Sequence, residues 1–120
     1  MRRIDIDDPA VDMDDSQRLT YEGELFTGEA AEYQGRAMIS LDTYSEGILD
    51  GPSLEWYPDG AQRSVGAVRM GFPSGEFLEW HPNGQMSSKK VFSEDGQQLK
   101  EVYTWDEDGA LASAWRDSDS

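Results

Sequence analysis

Residues 47–60 read GILDGPSLEWYPDG, residues 71–84 read GFPSGEFLEWHPNG, and residues 96–109 read GQQLKEVYTWDEDG. The landmarks Gly47, Gly51, Trp56 and Gly60 recur 24 positions on as Gly71, Gly75, Trp80 and Gly84. A further 25 positions carry Gly71, Trp80 and Gly84 to Gly96, Trp105 and Gly109. A degenerate earlier copy, GELFTGEAAEYQG at 23–35, has one residue added before its second glycine and two lost before its last. Landmarks at a constant offset define a repeat of about 24 residues.

Each unit spells a hairpin. In Pro58-Asp59-Gly60 and Pro82-Asn83-Gly84 the proline presets φ for the first corner of a type I turn. Asp or Asn suits the second corner, and Gly takes the left-handed position after it, closing a three-residue loop with a glycine bulge. Asp108-Gly109 repeats the signal without proline. The flanks alternate with period 2: Leu54 and Trp56 on one face, Glu55 and Tyr57 on the other, and likewise Leu78 and Trp80 against Glu79 and His81. A second set of turns near Glu46-Gly47, Met70-Gly71 and Asp95-Gly96 joins one hairpin to the next. The expected fold is therefore all-β, an antiparallel meander of repeated hairpins forming an open solenoid-like sheet. Trp56, Trp80 and Trp105 are expected to stack as a core ladder, with Leu54, Leu78 and Tyr103 as the neighbouring row. Val68 and Phe92 should match in the return strands, as should Met86 and Leu111. Gly51 and Gly75 read as bulges or close backbone approaches. Lys100 at the third such place predicts a more regular strand.

The 120 residues suit one domain. Leu, Ile, Val and Phe make up under a fifth of them, which with high net charge resembles a disordered composition. The 4 Trp, 5 Tyr and 4 Phe argue otherwise, because a stack of hairpins buries aromatic stripes between neighbours and needs no globular centre. Residues 1–18 are read as an acidic N-terminal segment in which Arg3 to Asp7 adds a capping strand and Asp14 to Ser16 a turn. Residues 19–116 are the repeat domain and residues 117–120 a frayed tail.

These residues give the pattern G-x3-G-x4-W-[YH]-P-[DN]-G, which resembles the variant MORN repeat of the YwqK family of bacterial antitoxins. The resemblance spans about Tyr21 to Trp115. It implies a hairpin solenoid that binds and neutralises a protein toxin without catalysis of its own. The chain departs from the pattern at Ala61, where Gln is frequent, and at Lys100.

Charge narrows the function classes. The net charge is -15, divided as -4 over residues 1–15, -7 over 16–105 and -4 over 106–120. A protein so acidic on every side does not bind nucleic acid by neutralising phosphates, nor dock on anionic lipid. There is no cysteine, hence no disulfide and no thiolate chemistry. No apolar run is long enough to span a bilayer, and MRRIDIDDPAVDMDD does not read as a signal peptide, so a cytoplasmic protein is expected. His81, the single histidine, stands where Tyr57 stood one repeat earlier and has no nucleophile or carboxylate tied to it by local spacing. No nucleophile elbow, P-loop or dinucleotide fingerprint occurs. The acidic runs 5–8 and 12–15 lack the central glycine and the frame of a calcium loop. No enzyme activity, cofactor or metal is expected.

The expected activity is that of an antitoxin or immunity-type protein whose partner is a basic, nucleic-acid-targeting toxin domain. Candidate partner-binding residues are Glu55, Tyr57, Asp59, Glu79, His81, Asp106, Glu107 and Asp108, with Tyr57 and His81 as aromatic anchors and the acids as steering and rim contacts. The alternative is a scaffold of MORN-like repeats without a toxin partner, self-associating by its open edges.

Overall fold

The computed structural model describes residues 1–117, which are all-β. The strands are β1 (Arg3–Asp5), β2 (Val11–Met13), β3 (Leu19–Tyr21), β4 (Glu24–Leu25), β5 (Gly28–Gln34) and β6 (Ala37–Ser45). They continue as β7 (Ile48–Trp56), β8 (Gln62–Arg69), β9 (Phe72–Trp80), β10 (Met86–Phe92), β11 (Leu99–Trp105) and β12 (Leu111–Arg116). Eight of them, β5 to β12, follow one another antiparallel in sequence order, and β1 adds to β5 in parallel to complete a nine-stranded sheet. β2, β3 and β4 form a separate three-stranded sheet. The large sheet stays open, with β1 at one edge and β12 at the other. The radius of gyration of the chain, 16.1 Å, exceeds the roughly 14 Å of a compact chain this long. No helix long and apolar enough to cross a membrane occurs among the described residues.

Two kinds of turn alternate along the meander. At the Trp end, Tyr57 N–H donates to Ala61 O (2.8 Å) and Gly60 N–H to Tyr57 O (2.9 Å). The same pair of bonds recurs at His81–Gln85 and at Asp106–Ala110. Gly60, Gly84 and Gly109 hold φ of 94°, 90° and 88°, the left-handed corner the sequence assigned to them. At the other end Glu46-Gly47 (φ 49° and 80°) and Met70-Gly71 (φ 51° and 87°) are two-residue turns with both corners left-handed. That geometry matches the strand twist and closes Ser45 on Ile48 and Arg69 on Phe72. The third connection is longer: Ser93 N–H donates to Gln98 O and Gly96 N–H to Ser93 O. This loop takes up the one extra residue that lengthens the last repeat step from 24 to 25.

Pairing sorts the side chains into rows. Leu41, Leu54, Val65, Leu78, Lys89 and Tyr103 lie opposite one another from β6 to β11. The pairs Trp56–Gln62, Trp80–Met86 and Trp105–Leu111 close the Trp end of the hairpins. Val68 and Phe92 face the second glycines, Gly51 and Gly75, as matching positions should. The register shifts beside Gly51 and Gly75, consistent with bulges there. It also shifts at Lys100, because Val91 faces Glu101 while Phe92 faces Leu99. The third strand is more regular, as expected, though not free of a shift: one extra residue bulges there against two beside each glycine, and Lys100 keeps an ordinary backbone.

The tryptophan ladder needs a similar correction. The three indoles occupy equivalent places, yet they are half-buried and no two are in ring contact among the described residues. They sit on every second strand, about 9.6 Å apart at the usual strand spacing. That exceeds the reach of aromatic pairing, so Met86 and Gln62 separate them. Trp105 stacks instead on Tyr103 of its own strand, at 6.1 Å.

The core lies elsewhere. Ile4, Leu19, Phe26 and Ala30 form the buried cluster, with Ile6, Val11, Tyr21 and Tyr44 packed around it. β1 pairs Ile4 opposite Ala30, while β2 and β3 pair across residues 11–21, so the acidic N-terminal segment is tied into the sheet. Asp5, Asp8 and Asp14 accept backbone N–H bonds within their own turns. Asp117 N–H donates to Lys100 O, and the remaining tail, 118–120, lies outside the described residues.

Gly47 and Gly60 share left-handed backbone but differ in surroundings. A Cβ at Gly47 would lie 2.8 Å from Arg18 Cβ and from Leu19 O, whereas nothing lies within 4 Å at Gly60. Gly60→Ala should cost about 1–2 kcal/mol through backbone strain alone, and Gly47→Ala distinctly more, as read from urea midpoints. Ser93 hydroxyl and Gln97 N–H donate to the Asp95 carboxylate and hold its pKa below the ordinary range. A lowered carboxylate stabilises the fold above its unfolded pKa, and the contribution is lost as pH falls through the lower folded value. The protection factor of the Gln97 amide, its exchange relative to the intrinsic rate at the same pH, should therefore fall on acidification through that window and stay constant there in Asp95→Asn.

Candidate functional site

Two of the eight sequence-predicted residues, Glu55 and Glu79, share a polar row. Ser40 faces Glu55, Glu55 faces Ser64, Ser64 faces Glu79, and Glu79 faces Ser88. Thr104 and Ser113 extend the row to the last strand, joined through their hydroxyls. Serine between the glutamates keeps like charges two strands apart and supplies a donor: Ser64 Oγ donates to Glu55 Oε1 at 2.7 Å. Both glutamates are exposed.

The other six candidates line the rim of Trp-end turns. Asp59, Asp106, Glu107 and Asp108 are exposed, and Tyr57 and His81 are half-buried. Tyr57 and His81 are not free anchors, contrary to the sequence expectation. Tyr57 OH donates to Trp80 O at 2.6 Å, and His81 Nε2 meets Trp105 O at 2.8 Å, so each ring bridges to the next repeat. A carbonyl only accepts, which makes Nε2 the protonated nitrogen of His81 in this contact. Asn83 adds a parallel bridge from its amide to Glu107 O at 2.8 Å. This explains why a repeat tolerates Tyr or His at one position: both reach a carbonyl one hairpin away with a donor. At the hairpin of β11 and β12 no later repeat lies among the described residues, and Asp106 caps its own turn, accepting from Asp108 and Ala110 N–H.

Beside the polar row lies a feature the sequence reading missed. Leu49, Val68, Gly71, Pro73, Phe77 and Phe92 line an open groove of about 340 Å³, with Glu79 and Lys90 at its border. Phe77 and Phe92 meet edge to face at 6.2 Å. The Phe77 ring covers Gly66, where a Cβ would lie 2.4 Å from it. The equivalence of Val68 and Phe92 was a legible signal for part of this stripe. Alternation puts Phe77 on the face of Glu79, but only the pairing of β9 with β10, where Phe77 lies opposite Lys90 and Gly75 opposite Phe92, shows which side chains it meets.

No family model, curated protein or solved structure matches the chain. The site therefore rests on its own chemistry. No cluster of three or more His, Asp or Glu side chains is placed to hold a metal among the described residues. The surface offers carboxylates, hydroxyls and an apolar stripe.

If the Tyr57 and His81 bridges join repeats, Tyr57→Phe should lower stability by about 0.5–1.5 kcal/mol. His81→Phe should cost a similar amount, whereas His81→Tyr should retain the bridge and unfold near the wild-type midpoint. Urea denaturation of the three variants checks the pattern.

Proposed function

We propose that this chain is a protein-binding module of the antitoxin or immunity type, which covers the basic cleft of a cognate, nucleic-acid-targeting protein. The observation that carries the reading is acid left unspent. Among the described residues only two ion pairs form, Arg3–Glu29 and Lys89–Glu76, against 25 acidic residues in the chain. The side chains of Glu79, Glu107 and Asp108 have no hydrogen-bond or ion-pair partner among the described residues, and all three are exposed along one face and its rim. Such a field speeds encounter with a positively charged partner and sets carboxylates where phosphates would otherwise lie. The resemblance of the repeat to the antitoxin family supports the same reading. A second reading, a scaffold without a toxin partner, draws on the exposed edge strand β12.

Salt separates the two. The Debye length shrinks from about 30 Å at 0.01 M to about 8 Å at 0.15 M. Where the neighbouring gene encodes a basic, toxin-like domain, association of the chain with that domain should slow by about tenfold or more across that range, and the complex should lack the domain's activity. Binding that ignores salt favours the scaffold. A neighbour that is neither bound nor inhibited overturns the antitoxin reading.

A further inference from the structure

We propose that β12 is a docking edge, which receives an extended basic segment of the partner as a further strand of the sheet. The inference rests on the reading of the chain as a module for a basic protein and deepens it.

Among the described residues β12 pairs only with β11, so the backbone groups along its outer side face no described strand. All six of its residues are exposed. Protected edges carry proline, lysine or an outward twist; Leu-Ala-Ser-Ala-Trp-Arg carries one charge, Arg116, at its end. Pairing from Ser113 to Arg116 against Thr104 to Glu101 runs without a shift, which leaves the outer row regular. The opposite edge, β1, has three residues and offers little to a template.

Side chains favour the same edge. Leu111 pairs with Trp105, whereas Ser113 pairs with Thr104 and Trp115 with Val102. The shift between them puts Leu111 over one face of the sheet and Trp115 over the other. They are 57% and 50% exposed, so an added strand finds an apolar contact on each face. Main-chain bonds then supply affinity and alternate side chains supply selectivity.

Charge chooses the occupant. A second copy would bring -15 against -15, and an antiparallel β12 pair would set the acidic turn of one copy near Asp117 of the other. A basic segment meets the opposite situation: Glu107 and Asp108 stand at the head of the edge with carboxylates that have no partner among the described residues. Alternation of basic and apolar residues in the segment suits both the carboxylates and the exposed Leu111 and Trp115.

The probe is the amidated peptide Lys-Val-Lys-Val-Lys-Val-Lys, added to the full chain while amide exchange is followed by NMR. The expected result is new protection in β12. Binding should weaken by about tenfold or more in Ala114→Lys, which sets a like charge on the edge. It should also weaken in Glu107→Gln with Asp108→Asn, exposed changes that leave the strand sequence intact. The same peptide N-methylated at every residue, which leaves neither edge able to donate, should not protect β12. Protection elsewhere, equal binding of the methylated peptide, or dimerisation of the chain alone through β12 overturns the proposal. If the basic neighbour still binds Ala114→Lys at the wild-type rate, the edge inference fails and the antitoxin reading survives; if that neighbour does not bind wild type, the reading itself fails.

Discussion

The structure depends on hydrogen-bonded pairing between consecutive strands, held in register by left-handed corners at both ends of each hairpin. Gly60, Gly84 and Gly109 turn the chain at one end, and Gly47 and Gly71 at the other. Because the large sheet has little covering it beyond the N-terminal cluster, most of its strands cannot draw stability from a deep core. Their side chains remain half-buried. Backbone ladders and short-range rows must carry more of the stability than they do in a two-layer domain. The Tyr57 and His81 bridges add to this by fixing turn to turn where side-chain packing is thin.

The same thinness shapes the surface available for binding. A sheet with both faces largely uncovered displays what alternation places on it: serine and glutamate in one row, leucine and valine in another. Few of the acids are neutralised within the chain. An arrangement built around internal stability would pair more of them or bury more apolar area. The field is instead directed outward, along a rim where three turns follow one another at the repeat spacing.

The N-terminal end answers a different problem. A meander has two edges, and here one is closed by a short parallel strand and a small sheet that together enclose Ile4, Leu19, Phe26 and Ala30. The other edge keeps its full length and exposure. This asymmetry makes the molecule polar along its stacking direction, with a sealed end and an open one.

Much of the fold was legible in the sequence, because turn chemistry and period-2 alternation are local properties. Pro58-Asp59-Gly60 specifies its corner whatever surrounds it, and the 24-residue offset places the strands between corners. The polar positions of Glu55 and Glu79 followed from the same alternation. What the sequence left open depended on distance between strands. Tyr57 and His81 read as free aromatic anchors, and only the adjacency of the next hairpin showed their donors engaged. The tryptophans shared a register position, but two strand spacings kept their rings apart. Phe77 lay on the face of Glu79 by alternation, but its meeting with Phe92 in a groove was set by the pairing of β9 with β10. Local backbone preference is written residue by residue; which side chains meet, and which edge remains open, is decided when separate strands come side by side.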